Sequence, residues 1–206
     1  MKRVTGFQAS FSDPWFLLLL FTALGMGTLA VKQPVRLSLL WTALALLSVV
    51  YVSGNKVQMS YTLPNVGRGL LLGLVIAVPL LAFLANPLRT FNETLYATND
   101  VAYLYLQVCF AAAPAEEFFF RGIVQQKKGL WPAVGAYGVA LLVLFLPHTP
   151  LPIALLVLVA MGLVGLVCGY VAAKHGLAAA IACRLVVALL VQVFPSFFVI
   201  LRMLFA

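Results

Sequence analysis

Eight apolar stretches separated by short polar or proline-containing breaks leave this chain few ways to fold. They lie near residues 15–31, 37–52, 69–85, 101–125, 131–147, 153–173, 176–194 and 195–205, where Pro195 either divides the last two or only kinks one long helix. In lipid a backbone must satisfy its own hydrogen bonds, so apolar segments of about 20 residues span as helices. Composition points the same way: 64% hydrophobic residues, 9% charged residues and a mean hydropathy of +1.10 exclude an ordinary soluble domain. The expected fold is all-α, a polytopic transmembrane helical bundle of about eight spans forming one integral membrane domain over residues 1–206. The first stretch follows Lys2 and Arg3 as a signal peptide would, but no clean small-residue cleavage site follows, so a retained span is expected.

Cations set the expected orientation. Eight spans would put Lys2, Arg3, Lys56, Arg68, Lys127, Lys128, Lys174 and Arg202 on one side, against Lys32, Arg36 and Arg89 on the other. The positive-inside rule then places both termini of a multi-pass cell-membrane protein in the cytoplasm. The net charge of +8 is scattered over loops without an aromatic-interleaved stripe, which argues for anionic lipid head groups and against nucleic acid as partner. Arg89, Glu93 and Asp100 fall in an expected long third loop, and Asn92-Glu93-Thr94 is read as a chance glycosylation sequon. Cys109, Cys168 and Cys183 have no metal-type or redox-type spacing and read as small core residues. Gly162, Gly165 and Gly169 form a small-residue face suited to close packing.

Within this apolar chain, residues 116–122 read Glu-Glu-Phe-Phe-Phe-Arg-Gly. A charge at the centre of a spanning helix costs roughly 2.5–3.5 kcal/mol, so these groups must face protein, water or one another. Glu117 and Arg121 are four apart and can pair, while Glu116 points about 100° away and is available for chemistry. Pro114 removes a backbone donor just before the pair and predicts a kinked or opened helix. Gln125 to Lys128 look interfacial, putting the glutamates roughly 13–17 Å deeper at 1.5 Å per residue. His148, at the end of the fifth stretch, can be a general acid, a metal ligand or an interfacial residue. His175, beside Lys174, is read as interfacial.

Glu116-Glu117-x-x-x-Arg121, with Phe120 before the arginine and Gly122 after it, resembles the first signature of the CAAX-prenyl endopeptidase and bacteriocin-processing (CPBP) family of intramembrane proteases. The second signature is an aromatic followed four residues later by histidine; Leu144 holds the aromatic position here and His148 matches the histidine. Residues 165–181 are similar to the run that leads into the third signature, and the CPBP-like core covers residues 101–191. The resemblance implies an intramembrane endopeptidase acting on membrane-associated peptides or protein C-termini. Glu116 would be the general base, His148 its partner, and Glu117 and Arg121 would orient the site, with a divalent metal such as zinc as a potential cofactor.

The third signature departs from the family. Its histidine and the asparagine or aspartate four residues later align with Arg184 and Ala188. Arginine stays protonated and cannot ligate a metal, and alanine has no donor for an oxyanion. Arg184 can instead act as an electrophile, or it can balance the glutamates in an inert network. The alternatives to a protease are therefore a catalytically inactive pseudoprotease that serves as a membrane scaffold, and a proton-coupled transporter, against which the lack of an inverted repeat argues.

Overall fold

The computed structural model describes residues 11–98 and 100–197. Most of the expected eighth span, together with Lys2, Arg3 and Arg202, lies outside the described residues. The described residues form seven helical runs and no strand: α1 (Pro14–Gly27), α2 (Gln33–Gly54), α3 (Leu63–Tyr96), α4 (residues 101–128), α5 (Leu130–His148), α6 (Leu151–His175) and α7 (Leu177–Phe197). Five of them, α2, α3, α5, α6 and α7, are long and apolar enough to cross a membrane, and α1 is a shorter apolar helix. The chain is a multi-pass membrane protein.

Two boundaries differ from the sequence expectation. The long third loop does not exist; α3 continues through it to Tyr96, and Arg89 and Glu93 become an i,i+4 ion pair at 2.7 Å on its surface. Pro79 and Pro87 lie inside this 34-residue helix, and the strain is taken up by non-helical backbone at Leu84. Asn92 is buried, donating to the carbonyls of Val191 at 2.9 Å and Gln192 at 3.1 Å, so its amide clamps α3 to α7. Asp100 caps α4 by accepting from the amides of Ala102 and Tyr103. The second change concerns Pro195, which does not end a helix, since α7 runs through it to Phe197.

The prolines of α4 and α7 are absorbed in the same way. A π-helical segment, Leu106–Ala112, ends two residues before Pro114, and another, Ala188–Val193, ends two residues before Pro195. A missing proline N–H leaves a carbonyl without its usual donor, and the wider π turn lets the pattern shift by one residue. The expected opening at Pro114 is thus a widening, with helical backbone on both sides. A further π segment, Phe118–Gln125, follows the glutamates and carries Arg121.

Several contacts gather one end of the bundle. Lys128 pairs with Asp13 at 3.3 Å, and Gln126 exchanges hydrogen bonds with the backbone of Gln58. Gly129 and Gly176, at φ +94 and +92, reverse the chain between α4 and α5 and between α6 and α7 in a conformation other residues rarely adopt. Lys56, Lys127, Lys128 and Lys174 lie beside these turns, at what is termed below the basic end. On the opposite side Arg36 departs from its expected loop position. It belongs to α2, is fully buried, and donates to the carbonyls of Leu144 (2.7 Å), Val143 (2.5 Å) and Gly25 (3.2 Å).

Candidate active site

The deepest polar cluster is assembled from α2, α4, α5 and α7. Glu116, Glu117, Arg121 and Arg184 are each no more than 2% exposed, in a core otherwise built from Leu, Ala, Phe and Val. Glu116 Oε1 accepts from the indole N–H of Trp41 at 2.9 Å. Its Oε2 accepts from the hydroxyl of Tyr137 at 2.9 Å and from Arg184 Nη2 at 3.1 Å. The expected pairing of Glu117 with Arg121 is present, at 3.3 Å from Nε to Oε2. Two carboxylates therefore face two guanidinium groups, and the cluster is charge-neutral in an environment where a net charge would cost several kcal/mol.

Glu116 is not the free carboxylate its helical position suggested, because three donors from three other helices converge on it. Trp41 and Tyr137 carry no charge and sit in segments that read as ordinary bundle helix. Tyr137 is the one hydroxyl in Leu130–Phe145, flanked by Ala133, Gly135, Ala136 and Gly138, and that isolation was the signal available in the sequence. Arg184, aligned above with the third-signature histidine, pairs with Glu116 at 3.1 Å. Ala188 is buried one turn further along α7.

His148 is not brought to Glu116. It lies exposed in the 3-10 turn Leu146–His148 that closes α5, six residues further from the Gly129 turn than Glu116 is, or about 9 Å of helix rise. Tyr137 occupies the level on α5 where Glu116 makes its contact. His175 is half-buried at the basic end.

Bonding capacity is left over within the cluster. Both oxygens of Glu117, Nη1 of Arg121, and Nε and Nη1 of Arg184 are buried without a hydrogen-bond partner. Arg121 spends Nη2 on the carbonyl of Gly165 at 2.6 Å, and one turn away Gln125 donates to the carbonyl of Gly169 at 2.8 Å. The small-residue face of α6 thus serves side chains of α4. A Cβ on Gly165 would stand 2.5 Å from Arg121 Nη2 and 2.7 Å from the Tyr137 ring, whereas Gly162 faces open space.

All three cysteines are buried core residues: Cys168 of α6 and Cys183 of α7, far apart in sequence, belong to one apolar cluster, while Cys109 lies elsewhere in the core. Among the described residues no group of three or more His, Cys, Asp or Glu side chains is placed to hold a metal ion. The donor set around Glu116, with an arginine where a histidine would stand, does not fit zinc.

Two hollows adjoin the cluster. An apolar groove of about 670 Å³ between α2 and α4 is lined by Trp41, Ser48, Phe110, Pro114, Phe118 and Ile181, so Glu116 lies one hydrogen bond behind its Trp41 wall. A polar cleft of about 420 Å³ opens at the basic end and has Arg121 in its lining.

Residues 98–190 match the family model described as type II CAAX prenyl endopeptidase Rce1-like. That segment, somewhat less than half of the chain, is similar to the CAAX prenyl endopeptidases of the CPBP family. The matched span contains Glu116, Glu117, Arg121, Tyr137 and Arg184, and leaves out Trp41, which α2 contributes. No curated protein and no solved structure matches the chain. The family is one of intramembrane CAAX-type proteases that act on membrane-associated proteins.

Proposed function

We propose that this protein is an intramembrane endopeptidase that hydrolyses membrane-associated peptides or protein C-termini, using Glu116 to activate water and Arg184 to stabilise the oxyanion. The observation that carries the reading is the state of Arg184: one nitrogen holds Glu116, while Nε and Nη1 are buried donors with no partner. A carboxylate offers about four acceptor positions, and three donors occupy those of Glu116, which leaves one on Oε1 for a water. Glu116 takes a proton from that water, and the hydroxide adds to the scissile carbonyl. The new oxyanion accepts hydrogen bonds from Arg184. The C–N bond then breaks as Glu116 returns the proton to the leaving amine. Arg184 in this way supplies what Ala188 cannot, and Glu117 with Arg121 holds the first carboxylate in register. An apolar chain in the groove beside Trp41 would approach Oε1 from its open side. Trp41 has to yield for the water to enter.

The test is cleavage of a prenylated peptide by the purified protein in lipid nanodiscs made up in H₂¹⁸O, with products mapped by mass spectrometry. Wild type should release one fragment carrying a single ¹⁸O, Glu116→Gln should lose the activity, and His148→Ala should keep it. The competing reading is an inactive scaffold, supported by the number of donors already on Glu116. It predicts no cleavage by wild type in lipid where an intact relative cleaves the same peptide.

A further inference from the structure

A second polar cleft, of about 430 Å³, opens at the basic end between the end of α2 and the last turns of α4. It shares only Gln58 and Gln126 with the cleft that Arg121 lines. Several of its acceptors are spent. Gln126 Oε1 accepts from the amide of Gln58 at 2.9 Å, the Gln58 carbonyl accepts from Gln126 Nε2 at 2.8 Å, and the Tyr51 carbonyl accepts from Asn55 Nδ2 at 3.0 Å. Its strongest donors are free. Lys56 and Lys127 line the cleft, exposed and without an ion-pair or hydrogen-bond partner among the described residues, and the hydroxyl of the buried Tyr51 has none either. No acidic side chain lines the cleft, and Asp13 nearby is already paired with Lys128 at 3.3 Å. Two positive charges and a hydroxyl donor on one concave surface call for an anion.

We infer that this cleft holds the phosphodiester of one anionic phospholipid, which ties the end of α2 to the end of α4. A lipid suits the place better than a soluble phosphate. The surface of the spanning helix α2 is apolar and exposed at Val52 and Val49, one and two turns before Lys56, so acyl chains can run along it from a phosphate seated at Lys56 and Lys127. Attraction of a basic face to anionic lipid is ordinarily diffuse. Here the two lysines come from different elements, and the reciprocal bonds between Gln58 and Gln126 fix the surface between them. The bridge has a structural consequence, because α2 carries Trp41 and α4 carries Glu116, whose hydrogen bond depends on the packing of those two helices. The inference stands apart from the endopeptidase reading.

The experiment titrates phosphatidylglycerol or phosphatidylcholine into the full-length protein in detergent and counts bound lipids by native mass spectrometry. One phosphatidylglycerol should bind saturably, about tenfold tighter than phosphatidylcholine, whose choline cation the two lysines repel. Lys56→Gln and Lys127→Gln, both exposed changes, should each weaken that binding about fivefold. Lys174→Gln, at the same end but outside this cleft, should leave it unchanged. Saturation with phosphatidylglycerol should also raise the thermal unfolding midpoint of the wild type and not of the double lysine variant. Equal affinity for the two lipids overturns the inference. So does binding that neither Lys56→Gln nor Lys127→Gln alters, because the attraction would then be diffuse over the whole face. Displacement of the lipid by inorganic phosphate also overturns it, in favour of a soluble-phosphate site.

Discussion

The protein buries a guanidinium in two places by two different means. Arg36 has no carboxylate partner; it is held by carbonyl oxygens of Gly25 near the end of α1 and of Val143 and Leu144 near the end of α5. Those carbonyls lack helical donors and carry the negative end of the helix dipole, so they suit a cation. Both terminal nitrogens of Arg36 are used, and only Nε lacks a partner. Arg184 faces a carboxylate instead, and two of its three nitrogens are unengaged. A guanidinium with both terminal nitrogens engaged locks helices together, whereas one with a terminal nitrogen to spare can meet something that arrives. Burial and charge are alike at the two sites, so it is the unused bonding capacity that separates clamp from candidate catalyst.

The comparison can be broken by substitution. Arg184→Met leaves Glu116 as a buried carboxylate with only neutral donors, and should cost about 3–5 kcal/mol in detergent unfolding; the double variant with Glu116→Gln should recover a large part of that. Arg36→Met removes a charge along with its hydrogen bonds, so the loss should be smaller, about 2–3 kcal/mol from stranded carbonyls, with cleavage per folded molecule unchanged. Tyr137→Phe deletes one hydrogen bond to a charged acceptor and should cost about 1.5–2 kcal/mol in the same assay. It also sharpens the contrast, because cleavage should fall in this variant while it does not in Arg36→Met. Arg89→Ala, which breaks the surface pair with Glu93, should move stability by about 0.5 kcal/mol or less.

The parts of the site legible in the sequence were those in which charge violates its surroundings. Glu116, Glu117 and Arg121 stand out in an apolar segment, and the i,i+4 rule is enough to pair two of them. Arg184 became visible only through the register of the family's third signature. Trp41 stayed hidden because a neutral aromatic side chain in a spanning helix costs little, and Tyr137 was marked only by being the one hydroxyl in its helix. Arg36 was misread for the converse reason: charge near a predicted span end looks like a loop residue until helix ends elsewhere supply carbonyls. His148 was drawn to the site by its residue type, but a position at the end of α5 carries it past the level of Glu116. The helix limit failed at Pro87, which read as part of a loop although one distorted residue lets α3 continue, whereas at Pro195, read as either a break or a kink, a π turn lets α7 run on.

The central claim is that Arg184 does for this site what a histidine and an asparagine do in the family pattern. The most direct measurement is the steady-state cleavage of a prenylated peptide in nanodiscs by wild type and Arg184→Lys, which keeps the charge but loses the planar fork of donors. The account predicts that kcat falls about 10²–10³-fold with KM little changed, as expected when an oxyanion donor is lost. An unchanged kcat in Arg184→Lys, or no cleavage by the wild-type protein, would contradict it.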